Sequence, residues 1–401
     1  MTRDRLHFLL LNIGHFLDHL FMLIFATVAA LALNDEWGIS YSGLLAYATP
    51  GFLAFGLFAV PAGWLADRWS RDGMMVLFFW GMGLASIATA LANSPLQIGI
   101  GLFVIGMFAS IYHPVGLAIV TLRWRNIGMR IAANGVWGNL GVASAALLTG
   151  YMIDNSGWRM AFVWPGVFSV IIGCGYLALR WRDLAAEHRA PKPVAEKTGG
   201  GDVALRRLLF RVTVIVFVTT AVSSIIFQST TFALPKIFDE RLQGLVSGFG
   251  DRGATAIGFI AFVVFATASM AQLAVGAALD RYGPRQVFRI VASVQLVCFL
   301  AMPGLRDGWA LLVALGFMLG AFGQIPINDF MIGKMASGAA RARIYGIRYV
   351  VSFTVLAATL PMIAFVYDRW GFDMLFAVLA SAALVILIAV SLLPRKLPSP
   401  A

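Results

Sequence analysis

Twelve apolar runs of about 20 residues or more, at roughly 6–32, 41–65, 73–93, 96–121, 130–152, 159–181, 208–234, 253–279, 286–304, 309–334, 342–366 and 373–394, occupy most of the 401-residue chain. A helix rises about 1.5 Å per residue, so a run of this length matches the ~30 Å hydrocarbon layer of a bilayer. Inside that layer a helix satisfies all its own backbone N–H and C=O groups. The runs therefore predict an all-α polytopic membrane protein with 12 transmembrane helices. Composition points the same way: 60% of residues are hydrophobic and 12% charged, well outside the range of soluble domains. The start "MTRDRLHF" is basic, but the apolar run behind it is too long for a signal peptide and lacks a small-residue cleavage site, which predicts a first membrane helix. Cys174 and Cys298 lie within apolar runs without metal-ligand spacing and read as packing residues.

Most connections between runs are very short, which forces antiparallel neighbours. The exception is "RDLAAEHRAPKPVAEKTGGGDVALRR", rich in charge, Pro and Gly, which predicts a cytoplasmic linker over 183–207 between six-helix halves at 1–182 and 208–401. The formal charge of +11 raises the question of an anionic partner such as nucleic acid. With the amino terminus inside, however, the outer side holds six basic residues, Arg159, Lys236, Arg241, Arg252, Arg306 and Arg369. The remaining 24 of the 30 fall on the inner side, among them Arg68, Arg71, Arg123, Arg125, Arg130, Lys334, Arg341, Arg343, Arg395 and Lys396. That is the positive-inside pattern, with both termini cytoplasmic, and it needs no nucleic acid.

The two halves repeat. "PAGWLADRWSRDGMM" after the second run matches "AVGAALDRYGPRQVF" after the eighth, pairing Gly63, Asp67 and Arg68 with Gly276, Asp280 and Arg281 at a common offset of 213. "YMIDNSGWRMAF" matches "FVYDRWGFDMLF", aligning Asp154 with Asp368. With its 6+6 layout and G-x-x-x-D-R motif in both halves, the chain resembles a major facilitator superfamily transporter over essentially its whole length. The resemblance implies a substrate site near the midplane between the halves and alternating access by rocking. Within that family, "GHFLDHLF", "YHPVG" and "GNLG" are similar to the fosmidomycin-resistance-like branch, whose members are regarded as proton-driven exporters. Three departures stand out: the first loop motif is reduced to "DRWSRDG", the fifth run lacks the Gly-Pro pattern of drug/proton antiporters, and the fourth lacks their intramembrane Arg.

The costliest residues for a membrane are His15, Asp18 and His19 in "LNIGHFLDHLFMLIFATVAALAL". A charge at the bilayer centre costs at least about 2.5–3.5 kcal/mol, so ionisable groups there turn towards the bundle interior. At about 100° per residue His15 and His19 lie some 40° apart, Met22 falls about 20° to the other side of His15, and Asn12 and Asp18 flank all three on one face. Three readings stand side by side. Asp18 could exchange a proton with a neighbouring His and couple movement to a gradient. His15, Asp18, His19 and Met22 could hold a transition metal, since His at i and i+4 converge. Or the groups could hydrogen-bond structurally to another helix.

His113 precedes Pro114, which loosens the fourth helix, and in the resembling fold that helix lies beside the first. The kink repeats around Pro326, where Gln324, Asn328 and Asp329 carry the polarity; for Asp329 a charge snorkelling to the cytoplasmic side is the competing reading. Asn134, Asn139 and Gln228 are further cavity-facing candidates, with interhelical glue as the alternative. Gly63, Asp67, Arg68, Gly276, Asp280 and Arg281 are expected to act as a cytoplasmic gate. No P-loop, H-E-x-x-H or G-x-S-x-G occurs, so neither ATP nor enzymatic chemistry is expected, and no cofactor. The expectation is a monomeric inner-membrane transporter of a small organic molecule, coupled to protons, with export favoured. The alternative is a transition metal or its chelate as cargo.

Overall fold

The computed structural model of the chain describes residues 2–124, 127–187, 203–335 and 338–394. Residues 188–202 of the expected linker, and Arg125, Arg395 and Lys396, lie outside them, as do the side chains of Lys334, Arg341 and Arg343. Among the described residues every regular element is helical. Eleven segments are long and apolar enough to cross a membrane: α1 Arg3–Trp37, α2 Tyr41–Arg68, α3 Arg71–Thr89, α4 Pro95–Arg123, α5 Met129–Ser156, α6 Met160–Arg182, α7 Phe210–Arg241, α8 Gln243–Tyr282, α9 Pro284–Ala301, α10 Asp307–Ile332 and α11 Val350–Ser391. The 42 residues of α11 would extend about 63 Å as one helix, twice the hydrocarbon thickness. It breaks at Gly371, whose φ of 69° and ψ of −168° no helix contains. The eleventh and twelfth apolar runs lie on either side of that glycine.

Local chemistry sets the helix starts. Ser40, Ser70 and Ser94 accept hydrogen bonds from the N–H groups of Gly43, Gly73 and Gln97 at the beginnings of α2, α3 and α4, and Pro95 and Pro284 take the first helical position of α4 and α9. Pro114 frees a carbonyl and the chain answers with a π-helical turn over Tyr112–Gly116, while the Pro326 repeat of this feature appears as a break at Gln324.

The chain forms two compact units, residues 1–191 with 232–266 and residues 192–231 with 267–401. In the first unit α1 packs along α5, α2 along α4, and α3 against both α4 and α6. Lipid provides no hydrophobic drive between helices, so close backbone approach carries much of this packing. Gly141 of α5 lies against the Phe16 carbonyl of α1, where any Cβ would collide, and Gly106 of α4 lies likewise on the Gly51 carbonyl of α2. In the second unit α9 packs against α10 and α11, with Cys298 set over Gly316; in the first unit Cys174 is exposed.

A buried ionic knot ties the ends of α1, α3 and α6. Asp72 and Arg180 are 2% and 3% exposed and form an ion pair, with Arg180 Nε donating at 2.8 Å. Tyr176 donates its hydroxyl to Asp72 Oδ1 at 2.5 Å, so its oxygen accepts from His7 Nε2–H at 2.8 Å. Trp124 covers His7 with ring centroids 5.6 Å apart, and the Arg130 guanidinium lies over Trp124. Removing one partner of such a pair strands the other charge in a dry interior. Arg180→Met is therefore expected to cost about 3–5 kcal/mol of stability, and adding Asp72→Asn to recover part of it. Unfolding midpoints in detergent check both changes; a single variant as stable as the parent would contradict the ionic reading.

Candidate functional site

His15, Asp18, His19 and His113 of the first unit gather at one place. Asp18 in α1 is 0% exposed, and its Oδ2 lies 3.3 Å from His113 Nε2 on the π-helical turn of α4. That turn carries one residue more than an α-helical turn, and the extra backbone swings His113 towards α1. His15, one turn before Asp18, donates from Nδ1 to the Asn134 carbonyl of α5 at 2.8 Å. This fixes its tautomer and leaves the lone pair on Nε2, to which His19 Nε2–H donates at 3.2 Å. The His15 and His113 rings meet edge to face at 5.5 Å, and His19 and His113 at 5.6 Å. The three imidazoles present ligand atoms that all lie within 4.8 Å of one another.

A hydrogen-bonded frame holds these rings. The Asn134 amide, fully buried, donates to Asn12 Oδ1 at 2.9 Å and to the Tyr112 hydroxyl at 2.7 Å. Tyr112 passes its own proton to the Leu11 carbonyl at 2.8 Å and stacks on His15 with ring centroids 4.8 Å apart. Gly138, one turn after Asn134, leaves room for the His15 ring, since a Cβ there would sit 2.7 Å from its Nε2. Tyr112 was invisible as a site residue in the sequence, where it reads as aromatic bulk; the signal was its position immediately before His113 and the proline.

The other expected residues divide. Met22 lines an apolar pocket with Phe21, Phe52, Leu102 and Phe232, away from the imidazoles. Asn139, half-buried, takes no part in the hydrogen bonding among the described residues. In the second unit Asn328 accepts from the Thr219 hydroxyl at 3.1 Å, and Gln324 Nε2 donates to the Ser223 carbonyl at 3.2 Å. Gln228 and Gln324 are each 2% exposed, and among the described residues Gln228 Nε2 and Gln324 Oε1 have no hydrogen-bond partner. Asp329 forms an ion pair with Arg348, its side chain 43% exposed. In the first loop motif Asp67 pairs with Arg71 at 2.7 Å, and Arg68 lies over the Trp64 ring at 4.2 Å. Asp67 thus takes its partner from the start of α3 and leaves the adjacent Arg68 to an aromatic ring. Gly63 faces Pro114, the residue after His113, with 3.3 Å from a Cβ there to the Pro114 Cβ. In the second motif Asp280 is exposed, Gly276 has open space, and Arg281 lies over Tyr282.

The sequence matches the Major Facilitator Superfamily model over residues 11–251 and 249–401. It is 24% identical over 341 residues to a gallate transporter of Pseudomonas putida, covering 76% of this chain and 73% of that one. It is 29% identical to the methylenomycin A resistance protein of Streptomyces coelicolor over 35% of this chain and 30% of that one, and 26% identical to the 4-hydroxybenzoate transporter PcaK of Pseudomonas putida over 36% and 32%. Among solved structures, a D-xylose–proton symporter superposes with a TM-score of 0.74 over the full length of both chains at 14% identity. A bacterial homologue of the human lysosomal transporter Spinster superposes with a TM-score of 0.70, covering 97% of this chain and 93% of that one, also at 14% identity.

The frame around His15 depends on one amide. Asn134→Leu is expected to leave Asn12 Oδ1 and the Tyr112 oxygen buried without their donor and to lower stability by about 1–3 kcal/mol for each group stranded. The thermal unfolding midpoint in detergent measures this, and an unchanged midpoint would refute the role given to the amide.

Proposed function

The chain belongs to the major facilitator superfamily of membrane transporters, and from that premise we propose that it is a proton-coupled secondary transporter, carrying a small organic molecule across the inner membrane by alternating access, with export as its direction. The observation that carries the coupling is the fully buried Asp18 carboxylate facing His113 across two helices. A charged carboxylate in that setting is costly unless a cation or a proton accompanies it, so a proton can be taken up there on one side of the cycle and released on the other. His15 and His19 extend the path along α1.

Relatives named for gallate, 4-hydroxybenzoate, L-galactonate and sulfoacetate, and others named for resistance to methylenomycin A and puromycin, support a small organic cargo; the resistance proteins favour export. In this reading the halves 1–182 and 208–401 move about the linker 183–207 in a monomer whose termini are both cytoplasmic. Asn134 and Asn139 on the first half, with Gln228, Gln324, Asn328 and Asp329 on the second, handle the substrate. Gly63, Asp67, Arg68, Gly276, Asp280 and Arg281 set the balance between inward and outward states. In the alternative, a transition metal or its chelate is the cargo, favoured by the convergence of three imidazoles on one place. It gains nothing from Met22, which sits in an apolar pocket.

Asp18→Asn in proteoliposomes is expected to abolish pH-gradient-driven flux, with radiolabelled gallate and 4-hydroxybenzoate as the first probes, while equilibrium exchange of the same probe continues. Uphill transport that survives in the variant would remove Asp18 from the coupling step.

A further inference from the structure

We propose that His15, His19 and His113 form a site for a late first-row divalent metal ion such as Zn²⁺, and that an ion bound there arrests the transporter instead of being carried by it. The second half of this statement rests on the transport role proposed above; the first half does not.

The geometry suits a three-histidine metal centre. Metal–nitrogen bonds of about 2.0–2.1 Å at tetrahedral angles place neighbouring ligand atoms about 3.3 Å apart. His15 Nε2 and His19 Nε2 lie 3.2 Å apart, already at that bite once the His19 proton shifts to Nδ1 and frees its Nε2 lone pair. The His113 ring meets both, and the ligand atoms of all three fall within 4.8 Å, a gap that rotation of an imidazole closes. Imidazole is also the ligand that suits Zn²⁺, Ni²⁺, Cu²⁺ and Fe²⁺.

The surroundings match those of metal-binding histidines, whose second ring atom is held by a carbonyl or carboxylate. His15 Nδ1–H is held by the Asn134 carbonyl, which aims the Nε2 lone pair at His19. His113 faces the Asp18 carboxylate at 3.3 Å. That carboxylate is fully buried and supplies a negative charge to offset part of a divalent cation. Three protein ligands leave a fourth position for water, as in open zinc sites.

Arrest follows from which groups the ion takes. All three rings belong to the first unit, two on α1 and one on the π-helical turn of α4. A bound ion occupies the lone pairs of the rings and staples α1 to the π-helical turn of α4, so the two helices are held in one arrangement.

The test begins without transport. Purified full-length protein in detergent is titrated with Co²⁺ alone, whose tetrahedral complexes absorb in the visible. The wild type is expected to develop that band, Zn²⁺ to bleach it, and the His15→Gln/His19→Gln and His113→Gln variants each to lack it while retaining a cooperative thermal transition; if one variant does not fold, the other decides. Absence of the band in the wild type, or its persistence in a folded variant, overturns the site. In proteoliposomes, an ion at about ten times its Kd fills roughly 90% of sites, so Zn²⁺ is expected to lower gradient-driven flux roughly tenfold, reversed by chelator. Binding with undiminished flux, or accumulation of ⁶⁵Zn in the vesicles, overturns arrest. Failure of proton coupling shows separately, in uphill flux by Asp18→Asn with no metal present.

Discussion

The side-chain amide of Asn134 is where α1, α4 and α5 are joined by hydrogen bonds in place of the hydrophobic effect. In lipid the transfer of apolar surface brings no gain between helices, so specific polar contacts and close backbone approach must choose the arrangement. Asn134 spends both amide protons, one on Asn12 and one on Tyr112, while its backbone carbonyl orients His15. Around that residue the glycines Gly138 and Gly141 let α5 lie against α1 closely enough for these bonds to form. The imidazole cluster and the buried Asp18 are positioned by that frame.

A second polar knot, Asp72 with Arg180, Tyr176 and His7, anchors the start of α1. The two knots stand on the same helix, with His7 and His15 eight residues, about 12 Å, apart. Between them α1 is tied to α3, α4, α5 and α6. Its ionisable face is therefore presented at a fixed rotation, which groups that exchange a proton across a short gap require.

Much of this was legible in the chain. The face of α1 followed from helical geometry, because residues at i and i+4 must lie together. His113 followed from Pro114, and the double six-helix plan from the repeat at offset 213. What escaped detection had the look of ordinary surface chemistry. Asp72 reads as a residue at a helix end in a basic loop, and Arg180 as one more positive charge at the inner boundary; only packing shows that the two are enclosed. Met22 shares the angle of His15 and His19, yet it lies a turn further along, where the neighbours are Phe52 and Phe232 and not polar groups. Periodicity gives a direction around the helix and is silent about what waits at each height. The same limit explains the loop motif, where i, i+4 reach joins Asp67 to Arg71 and the stack on Trp64 occupies Arg68.

The π-helical turn at Tyr112–Gly116 contains, in effect, one amino acid inserted into a helix. Deleting a single residue there would restore an ordinary α-helical turn and leave the residues beyond it in phase, whereas deleting one earlier in α4, with the π-helical turn kept, would rotate everything beyond it by about 100°. Pro114 would turn away from Gly63, and the far end of α4, from Leu117 to Arg123, would present a different side to α5. The bulge thus takes up one residue while Leu117–Arg123 keep the side they present to α5. Outside it, a change of length by one in this helix is a far larger perturbation than almost any substitution within it.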